Sequence, residues 1–338
     1  MRFAFTEDQL AFRDAVKSLF VAECPPAVVR SAWESDSGLN PGLWSKLGEM
    51  GVLGLLVDEA HGGLGLTFTD MILLLEEAGY AALPDPLVEH AVVAAPLLVQ
   101  LGRTGDLLST AIDGGNVLGI AGFDMSPYVR NAGTCVALVA SLSDGIHLIP
   151  RPIGQPQRLE TVDAAIRLYR VENLSTLSSV GSIVRADAAQ ALTGSAFNRG
   201  ALGTAAFLVG LARRCLDLTV DYISQRQQFG VPVGSFQGLK HQMASALMQL
   251  EFARPVVYRA ADSISTQAAT VDRDVSMAKA MAAEAAKLVA RTSLQAHGAI
   301  GYTVEYDLHM WFKRIFALAP TWGTTQWHIN RVGQAIGI

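Results

Sequence analysis

Arg226-Gln227-Gln228-Phe229-Gly230, followed by Val231-Pro232-Val233-Gly234-Ser235-Phe236-Gln237, gathers a guanidinium, several carboxamides and a glycine turn. A guanidinium forms paired charge-assisted hydrogen bonds to phosphate oxygens, and an amide can add one more. Arg226 beside Phe229 and Gln237 therefore reads as a phosphate grip. Other groupings carry less. Asp262 and Glu251 could act as bases, but carboxylates on a helix are ordinarily solvated. His241, His297, His309 and His328 have neither H-x-x-x-H nor H-E-x-x-H spacing, so no metal is expected. The run Gly62-Gly63-Leu64-Gly65 lacks G-x-G-x-x-G spacing and no βαβ unit follows, which makes it a turn between helices. There is no Gly-x-Ser-x-Gly elbow for serine hydrolysis.

The phosphate-gripping stretch lies where one long apolar helix must end and another begin. Helices are expected over 195–225, 236–268, 273–298, 304–316 and 324–336, a C-terminal bundle. Pro255 should kink the second of these by removing one backbone bond. At the other end of the chain, Thr6-Glu7-Asp8-Gln9 is a capping box ahead of the stripe Leu10, Phe12, Val16, Leu19 and Phe20. Asn40-Pro41 opens a helix that stops near Gly51. Residues 68–80 and 86–101 read as two more, the second after Pro84-Asp85-Pro86. From about Val117 to Ala188 the texture changes to short β-branched or alternating runs, 136–140, 146–149 and 166–171, separated by turns such as Ser143-Asp144-Gly145. The expected fold is mainly α with a small β-domain. Its expected divisions are an N-terminal helical domain, 1–115, a shortened β-domain, 116–190, and a helical bundle, 191–338.

Composition narrows the function. Of 338 residues, half are hydrophobic and 17% charged, enough for a large core and for burial between subunits. A net charge of -5 gives nucleic acid no basic face. No apolar run reaches the roughly 18 residues of a membrane span without interruption. The start, Met1-Arg2-Phe3-Ala4-Phe5-Thr6-Glu7-Asp8, turns acidic at once and shows no signal core. Cys24, Cys135 and Cys215 are too few and too far apart for a disulfide framework or a CxxC site. A cytoplasmic protein is expected.

Three stretches, in order and at fitting separations, resemble those of acyl-CoA dehydrogenases, and the resemblance covers most of the chain. The Arg226 corner is similar to that family's R-x-x-F-G…Q. Gln295-Ala296-His297-Gly298-Ala299-Ile300-Gly301-Tyr302-Thr303-Val304-Glu305-Tyr306 is similar to its Q-x-x-G-G-x-G-Y-x-x-E-Y, with Ala299 in place of the second glycine. Trp322-Gly323-Thr324-Thr325-Gln326 is similar to its E-G-T-x-Q. The resemblance implies a helical domain, a β-barrel-like middle domain and a C-terminal four-helix bundle. It further implies FAD as cofactor, bound by Arg226, Phe229, Gln237, Gln295 and Gly298, with Gln228, Ala299, Thr324 and Gln326 as secondary candidates. Ala299 is tolerable only where its φ is negative.

The family removes two hydrogens from an acyl-CoA thioester: a glutamate takes the α-proton and the β-hydrogen leaves as hydride. That base must be a carboxylate raised in pKa by a dry pocket. At its usual place stands Trp322, and the second place considered, near Ser265, holds no glutamate either, so no catalytic residue is assigned. The β-domain also lacks the Thr-Glu-Pro-type and Trp-Ile-Thr/Ser-type segments; Gly119–Pro127 stands in that region, and no Trp lies between Trp44 and Trp311. The retained residues are those that, in the family, reach the flavin of a neighbouring subunit. The resemblance therefore implies the short, base-lacking subunit of an α2β2 dehydrogenase of steroid or sterol side-chain CoA esters, its FAD shared with a glutamate-bearing partner that binds most of the acyl-CoA. Two alternatives stay open: a self-sufficient homotetramer with a relocated base, and a flavin-free scaffold.

Overall fold

The computed structural model describes residues 4–172, 174 and 182–338. The chain opens with α1 (Glu7–Glu23), whose capping box forms as the sequence predicts, Thr6 and Gln9 each bonding the other's backbone. A short helix that the sequence did not signal, α2 (Pro26–Glu34), follows directly on Pro25, with its own proline at the first position. Its last carbonyls are capped from afar: the buried Arg167 guanidinium donates to the Ala32 and Trp33 oxygens at 3.0 and 3.1 Å. Next come α3 (Pro41–Glu49), capped by Asn40, and α4 (Phe68–Tyr80). The helix expected over 86–101 is a π-helical turn, Val88–Ala94, running into α5 (Ala95–Gln100), and α6 (Asp106–Ile112) completes this part.

Among the described residues seven strands follow: β1 (Leu118–Ala121), β2 (Val129–Arg130), β3 (Ala137–Leu142), β4 (Gly145–Pro150), β5 (Gln157–Arg158), β6 (Leu168–Arg170) and β7 (Ser182–Arg185). They form a four-stranded sheet in the order β1-β3-β4-β7 and a three-stranded sheet in the order β2-β6-β5. Only the β1–β3 pair is parallel among the described pairings; β3 and β4 form the hairpin that turns at Ser143-Asp144-Gly145.

The remainder is helical. Helix α7 (Ala186–Gln225) runs for 40 residues and begins before the expected boundary. A two-stranded ribbon, β8 (Gln227–Gln228) with β9 (Val231–Pro232), leads to α8 (Gln237–Ser265). Pro255 lies inside α8, which continues through it. Then come α9 (Val271–His297), α10 (Leu308–Leu318) and α11 (Thr325–Ile336). Alanines 278, 282, 283, 286 and 290 are fully buried along α9, and their small side chains let α7 and α8 approach its axis.

Helix α7 is the spine because it touches every layer. Against α4 the two backbones meet at glycines: a Cβ on Gly79 would lie 2.0 Å from the Phe207 oxygen, and one on Gly210 would lie 1.9 Å from the Glu76 oxygen. Glu76 is buried there, and its charge is answered by Arg213 and Arg254 at 2.8 Å and the Tyr258 hydroxyl at 2.6 Å. Removing any one of these donors would leave a buried carboxylate short of partners. A second buried pair, Arg314 with Asp163, ties α10 to the strand region, and Arg314 also donates to the Leu83 oxygen at 2.8 Å. Among the described residues no helix is long and apolar enough to cross a membrane.

Candidate functional site

The Arg226 corner stands out from the molecule. The chain leaves α7 through the bond from Arg226 N to Tyr222 O, 2.9 Å, and returns through Val233 N to Arg226 O, 2.8 Å. Between these bonds the β8–β9 ribbon turns on Phe229 and Gly230, both with positive φ, +54° and +81°. A glycine adopts that geometry freely, but an aromatic residue does so at a cost on the order of 1–3 kcal/mol. Phe229 is nevertheless 94% exposed, its ring meeting that of Phe236 edge-on at 6.3 Å. Strain and exposure together mark a side chain placed for something outside its own chain. Arg226, Gln228 and Gln237 are exposed as well, and among the described residues the Arg226 guanidinium has no hydrogen bond or ion pair. Gln228 bonds only the Gln227 oxygen, at 2.8 Å.

The Gln295–Tyr306 segment lies at the same end. Helix α9 stops at Gly298, whose φ of +65° and ψ of -141° belong to glycine, and a single-turn helix over Gly298–Tyr302 follows. Nothing approaches within 4 Å of where a Gly298 Cβ would be, so the turn leaves open space on that side. Ala299 is not among the positive-φ residues, which meets the condition for an alanine there. Three rings join this turn to the arginine corner: His297 stacks on Tyr222 at 4.5 Å, and Tyr306 packs on both, at 4.8 and 5.7 Å. Burial holds the His297 imidazole below its ordinary pKa, and Nδ1 donates to the Ser293 oxygen at 2.7 Å. Sequence reasoning did not single out this stack. Its signal was available in Tyr222, four residues before Arg226, where a helical ring must sit one turn below the corner.

Trp322 is elsewhere and opposite in character. It is 2% exposed and lies flat against α7, where a Cβ on Gly200 would fall 2.3 Å from the indole ring; the Phe197 ring meets it edge-on at 6.1 Å. The loop that delivers it is pinned from below. The Lys279 ammonium donates to the Ala319 oxygen at 2.8 Å and His328 Nε2 donates to the Trp322 oxygen at 2.8 Å. Burial pushes Lys279 down to about 7 and His328 down to about 4, so at pH 7 the imidazole is neutral and the amine roughly half protonated. Trp322 has a φ of +57°, and Gly323 one of +92°. Thr324 caps α11 through the Trp327 amide at 3.2 Å, and Gln326 bonds Asn330 on its exposed face at 2.9 Å.

The residues singled out from sequence therefore fall into two groups. Arg226, Gln228, Phe229, Gln237, Gln295, Gly298 and Ala299 gather at one end of α7; Trp322, Thr324 and Gln326 lie near Gly200. The continuous helix from Gly200 to Tyr222, 22 residue steps, spans roughly 33 Å. Ser265, taken from sequence as a second place for a carboxylate, instead bonds Thr69 of α4, Oγ to Oγ1 at 3.0 Å. The backbone that touches Trp322 is Gly200 of α7, a position that sequence reasoning passed over. Glu251 pairs with Arg254 at 3.1 Å and Asp262 pairs with Arg259, both partly exposed, so neither is the dry carboxylate a base requires.

The chain matches "Acyl-CoA dehydrogenase, N-terminal domain" over residues 6–104 and "Acyl-CoA dehydrogenase, C-terminal domain" over residues 190–337. It is 34% identical to acyl-CoA dehydrogenase IpdE2 of Mycolicibacterium smegmatis, over 97% of this chain and 98% of that one. Its fold is similar to that of the Tcur3481-Tcur3483 steroid ACAD G363A variant, with a TM-score of 0.85 and 24% identity over 98% of each chain. It is also similar in fold to the ChsE4-ChsE5 complex of Mycobacterium tuberculosis, with a TM-score of 0.83 and 22% identity over 100% of this chain and 99% of that one.

Proposed function

The chain belongs to the acyl-CoA dehydrogenase family, and on that premise we propose that it is the base-lacking subunit of a heteromeric, FAD-dependent enzyme. The observation that carries this reading is the separation along α7. The residues suited to a phosphate are exposed, and among the described residues the Arg226 guanidinium has no partner, whereas the place of the family's base is filled by a buried indole with no basic atom. A chain that ran its own dehydrogenation would need a carboxylate at the packed end as well. A chain that serves a neighbour needs only the exposed end.

The exposed end fits the pyrophosphate half of FAD. Arg226 offers an uncommitted fork of donors, Gln237 and Gln295 offer amides, and Gly298 offers backbone with open space beside it. The rim is apolar, with Phe229, Val231, Phe236, Tyr302 and Val304 all 40% exposed or more. An apolar rim around an exposed cation suits a surface covered by a partner, where lower dielectric strengthens the ionic contact. In this reading Arg226, Phe229, Gln237, Gln295 and Gly298 complete the FAD site of the partner, with Gln228 and Ala299 as secondary contacts at that end; Thr324 and Gln326, the other secondary candidates, lie at the opposite end of α7 and would not reach the same atoms. A bound flavin supplies the two-electron acceptor; this chain's residues bind and orient it and keep water out. The partner supplies the glutamate and holds most of the acyl-CoA.

An α2β2 assembly follows from one such chain per complete partner in a dimer of pairs. Two of the structures similar in fold are named for pairs of chains, and one of those is called a steroid ACAD, which supports a steroid or sterol side-chain CoA ester as the substrate class. Three free, buried cysteines agree with a reducing compartment, for which we propose the cytoplasm.

The test is an absorbance spectrum of the chain expressed alone and again with a glutamate-bearing dehydrogenase encoded beside it. The expected result is a colourless lone chain and a yellow pair with about one FAD per two chains, set by one shared site per heterodimer. A lone chain that is yellow and oxidises an acyl-CoA would overturn the reading in favour of a self-sufficient enzyme. A colourless pair that copurifies would favour a scaffold.

A further inference from the structure

We propose that the cavity between α5, the first half of α7 and the α8–α9 connection is a second binding site, for a small hydroxylated monocarboxylate. The cavity holds about 550 Å³, within the range of small-molecule sites. It belongs to neither of the two regions above, although Arg199, its cation, immediately precedes Gly200.

Arg199 is the observation that points to a ligand. It lines the cavity, is only partly exposed, and among the described residues has no hydrogen bond or ion pair. Desolvation holds its pKa below the ordinary value, with no carboxylate offsetting it. Because a guanidinium stays protonated, the cost of removing it from water is recovered only when an anion arrives. The acid on the same wall is already committed: Asp272 accepts from Asn198 at 2.7 Å and pairs with Arg331 at 2.8 Å, and Asn198 Oδ1 accepts from Arg331 at 2.9 Å. Arg199 is thus the one lining cation, with no partner among the described residues.

The remaining lining selects the rest of the ligand. Gln100, Gln190, Ser195 and Gln267 bring side-chain donors and acceptors that make no hydrogen bond among the described residues. Gln267 is held there with a φ of +51°, a strained geometry that costs on the order of 1 kcal/mol or more. Neutral amides and a hydroxyl match the hydroxyl groups of a sugar-acid-like molecule. The charge of Asp272 on the same wall disfavours a dianion, so a monocarboxylate fits better than a phosphate.

The experiment uses the full chain, together with any subunit it purifies with, and reads the unfolding midpoint. Gluconate is compared with sorbitol, which has the hydroxyls without the charge, and with sodium chloride at matched ionic strength. Gluconate is expected to raise the midpoint above both, with Arg199→Gln weakening its binding roughly tenfold or more. Without ligand, Arg199→Gln should melt no lower than the parent, since it removes an unpaired desolvated charge. The proposal is overturned if gluconate does no more than chloride, or if Arg199→Gln keeps the full rise. Because Arg226 lies at the other end of α7, the outcome is independent of flavin content.

Discussion

The two ends of helix α7 are built on opposite principles. At Gly200 the chain fills space to the limit: the indole of Trp322 leaves no room for even a methyl group on Gly200, and its loop is pinned by Lys279 and His328. At Tyr222 it withholds packing: Phe229 is 94% exposed in a strained conformation, and Arg226 has no partner among the described residues. Ordinary folding rewards the first arrangement and penalises the second. A stretch that is costly to the lone chain is best understood as stabilised by something the lone chain lacks. On the proposed reading the packed end contributes stability and the open end contributes binding.

The sharpest way to break that contrast is to empty the packed end. Trp322→Ala should destabilise the chain by about 3–5 kcal/mol, read from the denaturation midpoint, because a buried aromatic leaves a cavity that rigid α7 cannot close. The fraction of FAD per folded complex should stay unchanged. Flavin loss in proportion to nothing but this substitution would mean that the two ends are not separate.

The pins give the next effect. His328 has a folded-state pKa of about 4, below the ordinary 6.5, so between those values the unfolded chain binds the extra proton. Stability therefore rises with pH from 4 to 6.5 and is lost as pH falls through that window, by roughly 3 kcal/mol for this group. His90, also pushed down to about 4, acts in the same direction, while Asp85, pushed up to about 7, opposes both. The test is thus the difference between parent and His328→Gln: the variant should show the shallower loss below pH 6.5. Equal slopes would show that His328 does not hold the loop as a neutral donor.

Gly200→Ala should cost roughly 1–3 kcal/mol by overpacking against the indole, despite the better helix propensity of alanine. In a Trp322→Leu background most of that cost should disappear, a coupling that a double-mutant cycle reads directly. Phe229→Gly is the smallest effect on the lone chain, a gain of no more than about 1 kcal/mol from relieved strain. Its effect on partner affinity should exceed its effect on stability. If the reverse is measured, the exposed corner is structural.

Much of this was legible in the sequence. The order of helices, strands and bundle follows from periodicity, and the capping box and Asn40–Pro41 start form as their chemistry dictates. The Arg226 and Gln295 stretches were legible together, by their order and separation, because turn residues and helix ends are local. That they meet was not legible, since it depends on the Tyr222–His297–Tyr306 stack, three rings from distant parts of the chain. Nor was the partner of Trp322: Gly200 looks like an ordinary helix glycine until the loop from α10 folds back over it. Helix α2 was hidden by its prolines, and the buried Arg167 that caps it lies more than a hundred residues away. Long-range closure is what local patterns omit.

The most direct test of the central claim is the flavin content of the copurified pair carrying Arg226→Ala. Loss of the charged donor to a buried phosphate should cost about 1.5–3 kcal/mol, a fall of roughly tenfold or more in FAD affinity, while the pair itself remains assembled. An intact pair that retains full FAD occupancy at limiting flavin would contradict the account, because the open end of α7 would then hold no part of the cofactor.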